Sequence, residues 1–490
     1  MPTRDFVILY VNGQRHEIRG ERAFKSLSDF LRYDLSLIGT KVVCAEGDCG
    51  SCSIMLGRSD GTQIKYETVC SCIQFLYQLD CTHILTIEGL KYDGALNPIQ
   101  EAMVACQGTQ CGFCTPGFVV SLCAMFDKRT TSPAPEEVQA ACIGNLCRCT
   151  GYESIVRAGT SIDPSKVRSL RQLYPPEKFV AELRERSTDS VLVESSDRKL
   201  YKPTTVADAG GFRAANPGCT IVAGATDIGV QVNKNLRDPK LVLALSGLDD
   251  LRRVEQIDQT IVAGALASIT QLETISRTAL PEYAAMLKYF GSSPIRNAGT
   301  IGGNIANGSP IGDSMPALFV LNAEVELTGT NGVRRVNMND FYKSYRTTVA
   351  TPDELITRVF IPLPAPDEIF KLYKISRRKD LDISAFTAAI WMKRNGGEVI
   401  SDVRIAFGGV GPVILRLKKT EEYLRGNALT AESVREAGRI ARTEITPITD
   451  VRGSAEYRSQ LGENILRKFY VELSEVGSNG NGNGTADAHR

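Results

Sequence analysis

Histidine and tryptophan are scarce in this 490-residue sequence, which contains 3 of the first and 1 of the second. So few histidines argue against a serine–histidine–aspartate triad or a histidine acid–base pair as the source of its chemistry. Neither sign of charge is in excess, because the formal net charge is +1 and basic and acidic residues are interspersed. The sequence therefore does not predict binding to nucleic acid or to an anionic membrane.

Long apolar runs are also absent. No stretch reaches the roughly 18 consecutive apolar residues that predict a transmembrane helix. Residues 1–20 lack the apolar core and small-residue cleavage site of a secretory signal. We therefore expect a cytoplasmic, reducing location, where clustered cysteines serve metals or catalysis more often than disulfides.

Cysteine is present at 14 positions, too few for a disulfide scaffold of this length, but several are closely spaced. The stretch CAEGDCGSC, residues 44–52, separates three cysteines by four residues and then two. With a later cysteine, this is the plant-type spacing of a [2Fe-2S] cluster. Cys70 competes for the fourth position, and a zinc knuckle or unligated buried thiols are the alternatives. The predicted ligands, here the first cysteine group, are Cys44, Cys49, Cys52 and Cys72.

Four more cysteines form a second group in QCGFCTPG, residues 110–117, and NLCRCTGY, residues 145–152. Each pair precedes a predicted helix, so two helix N-termini facing each other would stabilise an anionic cluster. Zinc also accepts four sulfurs, but it usually comes with a C-x2-C pair on both sides. The predicted ligands, here the second cysteine group, are Cys111, Cys114, Cys147 and Cys149. The remaining cysteines, taken as small buried hydrophobes, are Cys70, Cys81, Cys106, Cys123, Cys142 and Cys219.

Periodicity and turn signals divide the chain into segments. Asn12-Gly13 predicts a hairpin in a β-rich segment, and TIEGL, residues 86–90, predicts its last strand. Dense charge and several prolines predict a linker before two α+β segments, and a low-complexity end predicts disorder. The predicted boundaries are 1–90 (β-rich), 91–162 (helical), 163–197 (linker), 198–365 and 366–476 (both α+β) and 477–490 (disordered tail).

Two loops of small residues resemble phosphate-binding turns. IVAGATDIG, residues 221–229, runs from a strand into a loop whose backbone N–H groups could approach a pyrophosphate. Its glycine spacing is not that of a dinucleotide-binding Rossmann loop. Residues 295–318 contain a second candidate turn with an acidic residue downstream, and in both places an ordinary tight turn is the alternative. The residues of the second loop are Thr300, Gly302, Gly303, Asn304 and Asp313.

These motifs resemble those of the molybdenum hydroxylases, the xanthine oxidase and xanthine dehydrogenase family. CAEGDCGSC, QCGFCTPG and GNLCRCTGY match the iron–sulfur part of that family, and the two loops resemble its FAD-binding segments. The sequence departs from the usual pattern at Val43, commonly glycine, and at Glu153-Ser154, often Arg-Pro. The resemblance implies an α+β multidomain fold. Its parts are a β-grasp plant-type ferredoxin domain, a helical-bundle [2Fe-2S] domain, an FAD-binding domain of the vanillyl-alcohol-oxidase (PCMH) type and a C-terminal domain like that of the CO dehydrogenase flavoprotein.

The same resemblance assigns FAD contacts residue by residue. In the first loop these are Ile221, Val222, Ala223, Gly224, Ala225, Thr226, Asp227 and Ile228, and in the second the five residues named above. Phe290 would pack near the isoalloxazine, and Leu355 and Lys374 lie in segments that flank it. Residues 373–384 resemble the loop at which nicotinamide approaches the flavin; a solvated charged turn is the alternative.

The resemblance extends over about residues 3–475 and leaves no region for molybdopterin. This order of domains resembles that of the small subunit of bacterial xanthine dehydrogenases. It implies two [2Fe-2S] clusters and FAD, but no catalytic acid or base, on this chain. Molybdopterin would lie on a large partner subunit, in a heterotetramer or larger assembly. Electrons from hydroxylation of hypoxanthine or xanthine to urate would pass through the helical-domain cluster, the ferredoxin-like cluster and FAD to NAD⁺.

Two other functions are compatible with the sequence. The partner could act on another N-heterocycle, an aldehyde or an aromatic acyl-CoA, because the discriminating residues would lie on that partner. Alternatively, the chain could be a redox-sensing or binding protein without a hydroxylase partner. A large subunit that co-purifies with the chain would separate these possibilities.

Overall fold

The computed structural model of the protein describes residues 2–478, with side chains described up to 475. All but the first two residues of the predicted disordered tail, 477–490, lie outside the described residues. No helix within residues 2–478 is both long and apolar enough to cross a membrane.

The ferredoxin-like segment, residues 2–90, contains one five-stranded sheet of order β3-β2-β6-β4-β5. Its elements are β1 (Thr3–Arg4), β2 (Phe6–Val11), β3 (Gln14–Arg19), α1 (Leu27–Asp29), β4 (Ser53–Ser59), β5 (Ile64–Cys70) and β6 (Thr82–Leu85). The predicted hairpin joins β2 to β3, and Asn12 and Gly13 both have positive φ, as a two-residue turn of this kind requires.

TIEGL is not a strand, contrary to the prediction. The last strand ends at Leu85, and Ile87–Leu90 forms a 3₁₀ turn. The Glu88 carboxylate accepts hydrogen bonds from the Thr86 hydroxyl at 2.5 Å and from the Gly39 N–H at 2.7 Å. These bonds, one local and one to the distant Gly39, favour the turn over continued pairing in the sheet.

The helical segment, residues 91–162, contains four helices, in agreement with its predicted helical character. Its helices are α2 (Pro98–Ala105), α3 (Thr115–Phe126), α4 (Pro135–Cys142) and α5 (Glu153–Ser161). Asn97 caps α2 by accepting hydrogen bonds from the N–H groups of Ile99 and Gln100. Phe118, Leu122 and other apolar residues of α3 are fully buried, so α3 is the central helix of the segment.

The stretch 163–197, predicted to be a linker, contains α6 (Leu170–Leu173), α7 (Val180–Ser187) and β7 (Ser190–Ser195). In β7, Val191 and Val193 are buried because the strand belongs to the sheet that follows it in the chain. The N-terminal strand β1 pairs with β7 in parallel, so the start of the chain belongs to that sheet as well. The surface linker is therefore shorter than the sequence indicated.

The central segment, residues 190–364, contains two five-stranded sheets, β1-β7-β8-β10-β9 and β11-β12-β17-β13-β14. The first sheet shares one apolar core with the ferredoxin-like segment, so the two pack as one body. Besides β1 and β7, the strands of the central segment are β8 (Arg198–Lys202), β9 (Thr220–Val222), β10 (Leu241–Ala244), β11 (Val254–Ile257), β12 (Thr260–Gly264), β13 (Glu324–Gly329), β14 (Gly332–Asn337), the β15–β16 pair (Tyr342–Ser344, Thr347–Thr348) and β17 (Leu355–Pro362). Its helices are α8 (Val206–Ala215), α9 (Ile228–Asn233), α10 (Ile269–Ala279), α11 (Pro281–Lys288), α12 (Ser293–Ala298), α13 (Ile301–Asn307), α14 (Met315–Val320) and α15 (Met338–Phe341).

The C-terminal segment, residues 366–478, is an antiparallel sheet of order β18-β19-β20-β21 covered by helices. Its elements are β18 (Glu368–Ile375), β19 (Phe386–Arg394), β20 (Ile400–Gly408), β21 (Leu415–Arg416), α16 (Lys418–Leu424), α17 (Ala431–Glu444) and α18 (Ala455–Ser478). One face of the sheet packs on α17 and α18, and Phe370 and Trp391 join the core of the central segment. The predicted sequence of fold types is therefore confirmed.

Candidate iron–sulfur and flavin sites

The thiols of the first cysteine group lie together at one end of the ferredoxin-like segment. The Cys44 thiol is within hydrogen-bonding reach of those of Cys49 and Cys72, and the Cys52 thiol reaches that of Cys72. The N–H groups of Glu46 and Cys49 point at the Cys44 sulfur from 3.4 Å. Hydrogen bonds from the neighbouring thiols lower the pKa of Cys44, so the loop favours a thiolate there.

The contacts of Cys72 and Cys70 distinguish these two candidates for the fourth ligand. Cys72 contacts both Cys44 and Cys52, whereas Cys70 contacts Cys52 and donates its S–H to the Gly47 carbonyl at 3.4 Å. Cys72 completes a set of four thiols, and Cys70 lies beside the set. The pairs Cys44–Cys49 and Cys52–Cys72 could each supply two thiolates to one iron of a [2Fe-2S] cluster.

The second cysteine group is also arranged in two pairs. The sulfurs of Cys111 and Cys149 are 3.5 Å apart and exposed, while Cys114 and Cys147 are in contact deeper in the segment. Helix α3 begins directly after Cys114, as predicted. The Cys147 N–H donates to the Tyr152 hydroxyl at 3.0 Å and the Thr150 hydroxyl donates to the Cys147 sulfur at 3.2 Å, which orders the second loop.

Each cysteine group offers four thiols, and a [2Fe-2S] cluster takes two thiolates at each of two irons. A single zinc ion also takes four thiolates, and metal analysis distinguishes the two. Away from these groups, burial raises the pKa of Cys123 and Cys142 to about 12, as expected for inert thiols.

The loops of the two cysteine groups touch each other. The Leu146 N–H donates a 3.0 Å hydrogen bond to the Cys49 carbonyl, and the Asn145 side chain donates to the Gly50 carbonyl at 3.1 Å. A Cβ atom on Gly50 would lie 2.0 Å from the Gly144 carbonyl oxygen. This close approach therefore depends on glycine at position 50.

The central segment contains a cavity of about 470 Å³ between its two sheets. We call it the central cavity. Most of the predicted FAD contacts line it: Ile221, Ala223, Gly224, Ala225, Thr226, Asp227, Ile228, Phe290, Thr300, Gly302, Gly303, Asn304 and Leu355. Both predicted loops thus meet at one cavity, with a mixed polar and apolar lining that suits a dinucleotide.

The glycines of the two loops have different roles. A Cβ on Gly224 would lie 1.9 Å from the Ala298 carbonyl oxygen, and one on Gly302 would lie 2.7 Å from Ala265. These two positions let the loops pack on each other and on the strand below. A Cβ on Gly303 would meet only the Thr300 hydroxyl, at 2.8 Å. Gly303 therefore faces the cavity, where backbone could approach a phosphate.

Three predicted flavin residues do not line the central cavity. Val222 is fully buried in the apolar core beneath the first loop. Asp313 and Lys374 form a 2.6 Å ion pair, and Ser384 donates a 2.5 Å hydrogen bond to the Asp313 carboxylate. Asp313 and Lys374 thus hold the C-terminal segment against the central segment, with their charges paired.

Sequence reasoning missed three arginines in the lining, Arg213, Arg237 and Arg346. The Arg237 guanidinium donates to the Thr220 hydroxyl at 3.1 Å, and Arg213 donates to the Glu354 carbonyl. Cations at this cavity would favour the phosphates of a dinucleotide. The three lie far apart in the chain and in no motif, so no local pattern could have identified them.

The first cysteine group contacts the wall of the central cavity. The Asn233 side chain, at the end of α9, donates to the carbonyls of Ala45 and Cys72 at 2.9 and 2.8 Å. A Cβ on Gly229 would lie 2.8 Å from the Ile73 carbonyl oxygen. Because α9 begins at Ile228, which lines the cavity, one short helix connects the two sites.

Three family descriptions match separate parts of the chain. Residues 86–160 match a [2Fe-2S] binding domain, residues 194–364 match the FAD binding domain in molybdopterin dehydrogenase, and residues 371–473 match the CO dehydrogenase flavoprotein C-terminal domain. The first range contains the second cysteine group and the second contains the central cavity. This chain belongs to the molybdenum hydroxylase family.

Relatives of this molybdenum hydroxylase chain include Xanthine dehydrogenase 1 of Arabidopsis thaliana, 29% identical over 97% of the chain, and the xanthine dehydrogenase/oxidase of Gallus gallus, 27% identical over 96%. The chain spans about 40% of the length of these curated relatives. A chain of carbon monoxide dehydrogenase from Hydrogenophaga pseudoflava superimposes with a TM-score of 0.53 and is 26% identical; the match covers 56% of this chain and 96% of that one.

Proposed function

We propose that this chain is the electron-transfer subunit of a molybdenum hydroxylase of the xanthine dehydrogenase type. A partner chain that binds molybdopterin would hydroxylate hypoxanthine or xanthine with water, and NAD⁺ would be the final acceptor. The second cysteine group, the first cysteine group and the central cavity would hold two [2Fe-2S] clusters and FAD, in that order. Full-length relatives named as xanthine dehydrogenases support the substrate class.

The continuous series of contacts between the three sites carries this proposal. Leu146, adjacent to Cys147, donates its N–H to Cys49, and Asn233 donates to Cys72 from the helix that borders the cavity. FAD, when bound, exchanges single electrons with iron–sulfur clusters and a hydride with nicotinamide. The residues of this chain hold the three sites in a series of direct contacts.

An exposed face around the second cysteine group supports a partner at this end. Cys111 and Cys149 are exposed, and so are three apolar side chains around them, Phe113 at 48%, Tyr152 at 40% and Leu146 at 38%. An apolar rim around exposed cluster ligands is suited to burial in a protein interface. We place the partner's molybdenum site opposite this face.

At the flavin end of the series of three sites, the loop 376–384 is proposed as the approach for NAD⁺. It carries Arg377, Arg378 and Lys379, and the Arg378 side chain pairs with Asp382 at 3.3 Å. The loop follows Lys374, whose side chain also donates to the Tyr289 carbonyl at 2.9 Å, next to Phe290 of the cavity lining. Positive charge beside the cavity would favour the phosphates of a nicotinamide nucleotide.

Expression of the chain alone, followed by reconstitution, tests the proposal. The isolated chain should contain about four iron and four sulfide per molecule, two of each for a [2Fe-2S] cluster. It should oxidise NADH with an artificial acceptor and show no xanthine-dependent reduction. Xanthine-dependent reduction of NAD⁺ should appear only when a molybdopterin-binding partner is added. Oxidation of xanthine by the isolated chain, or the absence of any such partner in the native complex, would refute the proposal.

A further inference from the structure

A second large cavity, about 930 Å³, lies between the ferredoxin-like segment and the central segment, away from the central cavity. We call it the arginine cleft. Strand β4 and helix α7 form one wall, and the 246–254 turn with the start of α10 forms the other. Six basic side chains, Arg58, Lys65, Arg184, Lys202, Arg252 and Arg253, line it against three acidic ones, Asp60, Asp80 and Asp249.

Most of these charges are already paired. Lys65 pairs with Glu67, Lys202 with Asp80, Arg252 with Asp249 and Arg253 with Asp250, at 2.6 to 3.3 Å. The Asp60 carboxylate accepts hydrogen bonds from Thr62 and Gln63 in its own turn. Within residues 2–478, Arg58 and Arg184 have neither an ion pair nor a hydrogen bond from the guanidinium. These two arginines therefore lack a direct partner in this part of the chain, although the carboxylates of Asp249 and Glu67 lie near enough to Arg58 to act on its charge.

Arg58 is unusual because it is also half-buried. Its burial and the nearby charge of Arg252 lower the pKa of its guanidinium to about 9, which leaves it charged at pH 7. Removing a cation from water without a hydrogen-bonded partner is unfavourable. An anion bound beside Arg58 would supply the missing partner and offset this cost.

A second group in the cleft also lacks a partner. The Ser246 hydroxyl is buried and makes no hydrogen bond to any described residue. Buried hydroxyls are normally satisfied, and this one lines the same cleft as the two arginines without a direct partner, so an acceptor is missing there. Arg58, Arg184 and Ser246 together offer donors from three separate elements around one space.

From these observations we propose that the arginine cleft is a binding site for a phosphate group, distinct from the flavin and iron–sulfur sites. A phosphate offers several acceptor oxygens and matches the planar fork of arginine better than a single carboxylate does. No aromatic side chain is among the described residues that line the cleft, so it offers no stacking surface for a base. The phosphate itself, not a nucleobase, is what the cleft would recognise.

Because the two walls belong to different segments, a bound phosphate would link the ferredoxin-like segment to the central segment. Such a link stabilises the pair by an amount that rises with the logarithm of the ratio of ligand concentration to dissociation constant. The site is independent of the identity of the partner's substrate.

Calorimetry on the full chain loaded with flavin tests the site, since bound FAD blocks the phosphate-binding loops of the central cavity. The probes are inorganic pyrophosphate and ADP at constant ionic strength. We expect pyrophosphate to bind, and Arg58→Gln to weaken it about tenfold or more, as loss of a charge-assisted hydrogen bond predicts. Equal binding of ADP would identify a nucleotide's phosphates as the source, and pyrophosphate alone would identify the free anion.

Arg253→Gln is the matched control, because Arg253 borders the same cleft but is paired with Asp250 and is 79% exposed in its side chain. It should bind pyrophosphate within about twofold of the unmodified chain, since exposed paired charges contribute little. Iron content checks that each variant is folded. If Arg58→Gln fails to fold, the exposed Arg184→Gln takes its place. Absence of pyrophosphate binding, or equal weakening by Arg253→Gln, would overturn the proposal.

Discussion

The backbone N–H of Leu146 and the carbonyl oxygen of Cys49 are joined by a 3.0 Å hydrogen bond. Cys49 belongs to the first cysteine group, and Leu146 is bonded to Cys147 of the second, so the two candidate clusters are one hydrogen bond and a few covalent bonds apart. The contact is reinforced by the Asn145 side chain, which donates to the Gly50 carbonyl and to which Ser121 donates at 2.7 Å. The geometry of the two loops is thus determined jointly.

Gly50→Ala should separate these loops. Its Cβ would lie 2.0 Å from the Gly144 carbonyl oxygen, so one of the two backbones must move. We expect a loss of about 1–3 kcal/mol in the free energy of unfolding, as for overpacking elsewhere. A weaker magnetic interaction between the two clusters should accompany it. Gly151→Ala is a matched control, because Gly50 and Gly151 share a φ of +67° but the added Cβ at 151 meets nothing within 4 Å. If both variants behaved alike, backbone strain and not the loop contact would be the cause.

Cys72→Ser should abolish the cluster of the ferredoxin-like segment, while Cys70→Ser should retain it. Cys72 contacts both Cys44 and Cys52, whereas Cys70 contacts only Cys52 among the first group. Iron should fall from about four to about two atoms per chain in the first variant, since each cluster holds two. Electron paramagnetic resonance of the reduced protein should then show one signal instead of two. Loss of iron from Cys70→Ser with retention in Cys72→Ser would reverse the assignment.

The sequence predicted best those features that depend on local spacing. The cysteine spacing and the Asn12-Gly13 turn can each be recognised within a few residues. Ligand geometry restricts the spacing of the cysteines, and positive φ restricts the residue types in the turn. The prediction of a strand at TIEGL was wrong because the Glu88 carboxylate accepts a hydrogen bond from the Gly39 N–H, 49 positions away. No local sequence pattern contains that contact. The pairing of β1 with β7 was not predicted, because it joins residues as distant in the sequence as Thr3 and Ser190.

The residue pattern alone predicted only the two loops of the flavin site, and the family resemblance added Phe290, Leu355 and Lys374. The loops carry small residues in a recognisable order, and most of them reach the central cavity. Val222 alternates with its neighbours along β9 and points to the opposite side, as the period of a strand dictates. Arg213 and Arg237 come from α8 and from the turn after α9, so only the three-dimensional structure brings them to the cavity.

Gly303→Val should yield a protein that keeps iron but loses flavin. The new side chain would extend into the central cavity, since only the Thr300 hydroxyl lies near the added Cβ. FAD content measured by absorbance after release should fall at least tenfold, while iron stays unchanged. Gly211→Ala serves as the control, because it lies in α8 with nothing within 4 Å of its Cβ. That control should gain roughly 0.5–1 kcal/mol in stability from higher helix propensity. Full flavin occupancy in folded Gly303→Val would contradict the assignment of the second loop.

Acid should weaken the link between the ferredoxin-like segment and the central segment through Asp80. This fully buried carboxylate pairs with Arg4 at 2.8 Å and with Lys202 at 2.6 Å. Burial alone would raise the pKa of Asp80, but Lys202 and Arg4 outweigh it and lower the pKa below its ordinary value of 3.8. A lowered folded-state pKa contributes stability that is present above pH 3.8 and is lost as the pH falls through the folded-state value. Asp80→Asn should therefore cost about 3–5 kcal/mol at pH 7, because buried Lys202 loses its partner and buried Arg4 keeps only Asp189 of its two carboxylate partners. It should also flatten the fall in unfolding free energy below about pH 4, measured by urea titration. Glu255→Gln, on an exposed strand without an ion pair in the described chain, should change neither quantity. If the unfolding free energy of Asp80→Asn fell, below about pH 4, as steeply as that of the unmodified chain, other carboxylates would be the cause of the acid dependence.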